Sequence, residues 1–359
     1  MINAILDEIL TCFEGIDEGQ AEDFCRLVRS SRRLFNHPKG RMGMAMKAFG
    51  TLLEDIIPYY VIGDTGIPAI GEGDLLLVAP TGGDPRSSTR FINIARDRGA
   101  RVAAFTANRQ GPIGTMADCF IEVSARTMLP GDETPSLQPM CSTMEQAGLL
   151  FFDMIYLMLK DPTLTTAVAR QRISEGLRAS LGSLNPAAEA GMQALKAYLP
   201  ACRRLFFDGD TREKQILCCF AMRLFHMGEA IRVPGEISAG RPASGDGLIL
   251  AGADVTDPAF RFRVETAKRA GAAVFLITDP AGRRALPGDL AAAADGIWEV
   301  PSGVGARDGD TAGRETAGSL PLMAFTENLL ILLDCLVAEL MTERGLSERD
   351  MAARHTNLE

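Results

Sequence analysis

The sequence predicts two tandem α/β domains, each a parallel sheet packed between layers of helix. Three observations carry that reading. The chain is 359 residues long with 47% hydrophobic and 23% charged residues, globular in balance and too long for most single cores. Short apolar runs bounded by turn residues alternate with amphipathic stretches of helical length, the pattern of βαβ units. The second half also repeats the first.

The repeat is read directly. Arg32-Arg33-Leu34-Phe35 recurs as Arg203-Arg204-Leu205-Phe206, and at the same shift of 171 Arg41 falls on Arg212 and Phe49 on Phe220. Gly73–Leu77 (GDLLL) answers Gly245–Ile249 (GDGLI), and Thr106 answers Thr278, both at 172. The shift then grows to 177 for Asp118 and Asp295, and to 182 for Glu145 and Glu327. An offset that changes only in small steps between elements is the product of duplication followed by loop insertion. The two domains are expected at 1–165 and 166–359, with a C-terminal tail over 342–359.

The elements of the first copy follow in order. A helical stretch over 2–29, broken at Gly15, precedes a short strand at 33–36 and a helix over about 41–54. A strand at 59–63 leads through turn residues to the apolar run 73–79, which suits a parallel strand buried on both faces. A helix at 87–99, a strand at 101–106, a short helix near Gly114 and a strand at 119–123 come next. A long apolar helix over 142–160 closes the copy. The stretch 161–199 holds the link and the opening helix of the second copy. The segment 304–319, rich in Gly, Asp and Thr, is expected to be a mobile loop.

Composition excludes several classes. The net charge of −9 opposes a nucleic-acid-binding face, which needs clustered Lys and Arg. The first 19 residues carry five acids and no base, unlike a secretory leader. The apolar run 149–159 is about half a membrane span and contains Asp153. A cytoplasmic location and no membrane partner are expected. Eight cysteines without a CxxC pair, and only three histidines, suit neither a disulfide framework nor a metal site.

Several segments carry a family likeness. GRMGMAMKAFG at 40–50, FAMRLFHMG at 220–228, GDTGIPAIGEGDLL at 63–76 and the tail LVAELMTERGLSERDMAARHTNLE at 336–359 resemble the SIS (sugar isomerase) family. More narrowly they resemble 6-phospho-3-hexuloisomerase, whose first turn reads GRSGxxGKAFA. The resemblance implies two flavodoxin-like three-layer α/β/α domains, each with a five-stranded parallel sheet. It also implies isomerisation of a sugar phosphate without metal, nucleotide or other cofactor, in a homo-oligomer such as a dimer with sites between subunits.

Moving a carbonyl between neighbouring carbons needs a base and partners for the enediolate, while a phosphate needs amides at a helix N-terminus. The resemblance places a catalytic glutamate at Glu145, with Glu327 its counterpart, and a catalytic histidine at His355. Burial of Glu145 in the first turns of an apolar helix would raise a carboxylate towards working pH; the plainer reading is an acid placed by the helix dipole. Arg41 and Lys47 fall on substrate-side positions of the family. Arg212 repeats Arg41, while Cys218 replaces the lysine. His226 is expected to pack, and His37, just before Pro38, to lie at a strand exit with no more than a loop role.

The phosphate loop departs from the family's SGSGET. The first copy reads PTGGDP at 80–85, keeping Thr81, Gly82 and Gly83 and following them with Ser87, Ser88 and Thr89. Met42 replaces the serine of GRSG. In the second copy, Asp254 and Asp257 lie in the loop and Glu213 replaces Met42, a like-charge arrangement against any phosphate. Three functions stay open: a sugar-phosphate isomerase with one working site, a non-catalytic phosphosugar-binding or regulatory protein, and an isomerase for another anionic sugar.

Overall fold

The structure is a computed structural model that describes residues 1–81, 86–128, 131–302 and 320–356. Gly82, Gly83 and the segment 304–319 lie outside them. The chain divides into two compact units, Ala4–Glu175 and Gly176–His355.

The first unit opens with helices α1 (Ile2–Glu14) and α2 (Glu18–Arg29), the second capped by the Asp17 carboxylate on the Gln20 N–H. Strand β1 (Arg33–His37), helix α3 (Gly40–Gly50), β2 (Tyr59–Val61), β3 (Asp74–Val78), α4 (Arg86–Asp97), β4 (Arg101–Thr106), β5 (Cys119–Glu122) and α5 (Ser142–Lys160) follow. The five strands are parallel in the order β2-β1-β3-β4-β5, the flavodoxin order. Alternation splits each strand between two helical layers. Phe35, Leu76, Val78, Val102 and Ala104 pack with Ile92 and Ala95 of α4. On the other face, Phe105 packs against Phe151 and Phe152, which also meet Phe24 and Phe49. Each such ring pair adds about 0.5–1.5 kcal/mol beyond the area it buries.

The second unit repeats this plan after helices α6 (Thr166–Leu181), which spans the division between units, and α7 (Pro186–Tyr198). Its remaining elements are β6 (Leu205–Gly209), α8 (Thr211–His226), β7 (Ile231–Arg232), β8 (Gly247–Ala251), α9 (Pro258–Arg269), β9 (Ala273–Thr278), α10 (Pro280–Ala285), α11 (Gly288–Ala293), β10 (Gly296–Glu299), α12 (Leu320–Arg344) and α13 (Glu348–Ala352). The sheet order β7-β6-β8-β9-β10 is that of the first sheet.

Duplication extends to individual contacts. The buried Asp74 carboxylate accepts from Arg32, Arg33 and the Gly71 N–H, and the buried Asp246 pairs with Arg203 and Arg204 and accepts from the Ala243 N–H. Asp118 accepts the Val102 N–H as Asp295 accepts that of Val274. Burial alone would raise the Asp74 pKa, but the hydrogen bonds from Arg33, Arg32 and Gly71 outweigh it and hold the carboxyl at about 2. Its stabilisation is therefore complete at neutral pH and lost as pH falls through about 2. Asp74→Asn is expected to cost about 2 kcal/mol at pH 7, since hydrogen bonds to a charged group are lost. Urea denaturation at pH 7 measures this, and an unchanged midpoint would remove the role given to the pair.

Two elements are shorter than the sequence suggests. The helix expected to about residue 54 ends at Gly50, where a side chain would meet the Tyr59 ring within 2.2 Å. The strand expected to residue 63 stops at Val61, because the chain turns at Gly63 with φ of 107°, a conformation open to glycine.

Candidate functional site at the strand exits

In an open parallel sheet of this order, ligands bind beyond the carboxyl ends of the strands, where the chain leaves β1 for one side and returns to β3 on the other. His37 ends β1 opposite Val78 of β3, so the first crevice opens at these residues. Helices α3, α4 and α5 begin beside it, and their N-terminal amides favour anions.

Arg41, in the first turn of α3, is 1% exposed, and Glu145, in the first turn of α5, is 4% exposed. The Arg41 Nη1 lies 2.9 Å from Glu145 Oε2 and donates to Ser142 Oγ at 2.9 Å. The Cys141 thiol donates to the other Glu145 oxygen at 3.3 Å. The start of α5 is braced in turn. Gln138 and Gln146 exchange two amide hydrogen bonds, and Glu8 accepts from Ser136 and Thr143. Met140 has φ of 59°, a left-handed backbone costly for a residue with a side chain.

Met42 does not line the crevice. It is fully buried against Gly148 of α5, where an added side chain would meet the Met42 sulfur at 2.9 Å. Lys47 is half-buried in the last turn of α3. Six residues from Arg41 at about 100° per residue turn it roughly 120° away around the helix, so the fold does not bring the two cations together.

Thr81 follows β3 and its carbonyl accepts the Met128 N–H. Ser87 and Ser88 stand in the first turn of α4; Ser88 is buried, and the buried Ser87 Oγ has no hydrogen-bond partner among the described residues. His37 is the last residue of β1, at the strand exit. Its ring packs on Phe91 of α4, with centroids 4.6 Å apart, and its Nε2 is buried without a partner among the described residues. Burial, aided by Lys39, lowers the His37 pKa to about 4, so the imidazole is neutral at neutral pH. A buried polar atom left unpaired costs about 1–3 kcal/mol. Ser87 and Phe91, four residues apart, share one face of α4.

The second unit fills the same places differently. Arg212, fully buried, donates to Thr326 Oγ1 of α12 at 2.8 Å, beside the buried Glu327. Glu213, where the first copy has Met42, accepts the Ala253 N–H beyond β8 at 3.3 Å. A carboxylate of the protein thus holds a loop amide that faces the strand exits, and burial raises its pKa. Asp257 caps α9 by accepting the Ala259 N–H, and Asp254 accepts from Thr256. Asp208, at the His37 position, is bound by Lys214 at 3.1 Å and Arg263 at 3.3 Å.

His355 follows α13, and its ring faces that of His226 with centroids 5.2 Å apart. Arg354 donates to the His226 carbonyl, the usual partner for a helix C-terminus. His226 and Arg212 are fourteen residues apart on α8, about 21 Å along its axis. Within its own unit the tail is therefore docked at the end of α8 remote from Arg212. Sequence reasoning missed Ser142, because nothing in the chain marks which hydroxyl meets Arg41. Among the described residues, no group of three His, Cys, Asp or Glu is placed to hold a metal ion. Nor is any helix long and apolar enough to cross a membrane.

No family model matches the chain. A 3-hexulose-6-phosphate isomerase from Methylomonas aminofaciens is 30% identical over 176 residues, covering 92% of that protein and 49% of this chain. The chain belongs to the SIS (sugar isomerase) family. Its relative from Mycobacterium gastri, also a 3-hexulose-6-phosphate isomerase, is 29% identical over 163 residues, 82% of that protein and 45% of this chain. Each SIS relative thus spans about half of the chain, the length of one copy. The C-terminal domain of glucosamine-fructose-6-phosphate aminotransferase from Francisella tularensis matches the whole tandem SIS architecture. It covers 95% of both chains with a TM-score of 0.65 at 12% identity, a likeness of fold.

Proposed function

We propose that the protein is a sugar-phosphate isomerase whose working site belongs to the first copy. The observation that carries this reading is the difference between the crevices. In the second, Glu213 holds the Ala253 amide that a phosphate oxygen would need, and Asp257 caps the helix beyond it. In the first, Met42 stands in the place of Glu213, and Arg41, Glu145, Ser87 and Ser88 stand in the first turns of the helices beside the strand exits. Glu145 serves as the base that moves a proton between neighbouring carbons of a ketose phosphate, and Arg41 stabilises the enediolate oxygen. Thr81 and Ser88, with the amides of α4, receive the phosphate. A dimer is the expected assembly, and in it His355 of the partner subunit supplies a second proton-transfer group. The relatives named 3-hexulose-6-phosphate isomerase support a hexulose 6-phosphate as substrate.

A second reading is favoured by the closed Arg41–Glu145 pair, with both side chains buried. A protein that binds a phosphosugar without turning it over would keep such a pair intact. Thermal shift with ketose and aldose phosphates, followed by an isomerisation assay on 3-hexulose 6-phosphate, separates the two. Binding with turnover supports the isomerase, binding alone supports the regulatory protein, and neither removes both. His355→Ala is expected to slow the assay at least tenfold, and an equal rate would take the tail out of the site.

The second crevice offers its own test. Glu213→Ser frees the Ala253 N–H and supplies a hydroxyl, so millimolar phosphate is expected to stabilise the second unit of the variant. At ten times Kd the gain is about 1.4 kcal/mol, readable as a rise in Tm over wild type. Equal phosphate response in both proteins would show that Glu213 does not close the site.

A further inference from the structure

The two copies place different chemistry at the same strand exit. In the first, the His37 ring packs on Phe91, and Ser87 stands one turn before Phe91 on the same face of α4. At the duplicated positions, 171 and 172 residues on, the second copy has Asp208, Arg263 and Ala259. There Asp208 and Arg263 form an ion pair at 3.3 Å, Lys214 adds a second cation, and the hydroxyl is gone. At these positions the second copy pairs its charged groups with one another. At the same positions of the first, His37 Nε2 and Ser87 Oγ are buried without a partner among the described residues.

From this contrast we propose that His37 and Ser87 bind a hydroxyl or carbonyl oxygen of the sugar, and so set which carbon skeleton the first crevice accepts. The inference rests on the reading of that crevice as a phosphosugar site. A neutral imidazole offers one donor and one acceptor, and a serine hydroxyl offers both. Such a pair matches a sugar hydroxyl, which also donates and accepts. A phosphate at neutral pH mainly accepts and is better served by the amides of α4. His37 lies at the β1/β3 switch point, where a ligand enters, and its depressed pKa keeps it in the neutral form the pairing requires. A site built to hydrogen-bond a hydroxyl rejects a ligand that lacks it, because its own groups are then left unpaired.

The test is isothermal titration of the full chain with fructose 6-phosphate and, separately, inorganic phosphate. His37→Ala and Ser87→Ala are each expected to weaken fructose 6-phosphate at least tenfold while leaving phosphate within twofold. His37→Gln, which keeps a donor and an acceptor, is expected to recover part of the loss. His37→Asp with Phe91→Arg installs the ion pair that the second copy already carries, and this folded variant is expected to lose sugar binding. Wild-type sugar affinity in the alanine variants, or equal weakening of sugar and phosphate, overturns the inference alone. Failure of the wild type to bind any sugar phosphate removes the reading of the crevice, and the inference with it.

Discussion

Arg41→Met is expected to lower the unfolding free energy of the first unit by about 3–5 kcal/mol, the cost of stranding one charge of a buried pair. Glu145 is 4% exposed, and its partners include the Arg41 guanidinium and the Cys141 thiol. Neither water nor the thiol replaces the lost cation. Removing both charges is a different case. Arg41→Met with Glu145→Leu fills the same space with apolar groups, and buried pairs replaced in this way are often neutral or stabilising. The double variant is therefore expected within about 1 kcal/mol of wild type, a non-additivity that a double-mutant cycle measures directly. Trp298, the single tryptophan, lies in the second unit, so its fluorescence does not follow the first. Hydrogen exchange of peptides from α3 and α5, with urea denaturation by circular dichroism, does. A single variant that loses under 1 kcal/mol, or a double variant weaker than the single, would show that the pair is not what holds α3 to α5.

The duplication was legible because the element ends keep their order while the offset grows from 171 to 182. The parallel sheets follow from runs such as Leu75–Leu77, whose successive side chains are all buried, as burial on both faces requires. Boundaries were less legible where tertiary contacts end an element, as the Tyr59 ring ends α3 at Gly50. The site was visible as residue types but not as geometry. Arg41 and Glu145 are 104 residues apart in sequence, and only the packing of α3 on α5 joins them. Glu213 was readable as a charge hostile to phosphate. Its hydrogen bond to Ala253 depends on how far α8 carries the side chain towards β8, which no local pattern encodes. The partnerless Nε2 of His37 is likewise a property of the fold, since what surrounds the end of β1 comes from α4.

Glu145→Asp is expected to separate catalysis from stability, which Glu145→Gln cannot do cleanly. Gln removes the charge that compensates Arg41, so it strands a buried cation as well as removing the proposed base. Asp keeps the charge and the ion pair but draws the carboxylate back by one methylene, about 1.5 Å, and misplacement of about 1 Å costs on the order of 100-fold. Isomerisation of 3-hexulose 6-phosphate by Glu145→Asp is therefore expected to fall about 100-fold with the melting temperature within a few degrees of wild type. Glu145→Gln, assayed well below its melting temperature and normalised to folded protein, is expected to fall about 100- to 10,000-fold, the usual range for a positioned base. Fructose 6-phosphate affinity is expected to change less than fivefold in the Asp variant, since the carboxylate acts on carbon and not on the phosphate. A stabilising acid with no part in the chemistry predicts the opposite order: rates per folded molecule equal in all three proteins, with only the melting temperature of the Gln variant displaced. That outcome would leave the Arg41–Glu145 pair as a structural clamp and move the search for the base to the tail histidine.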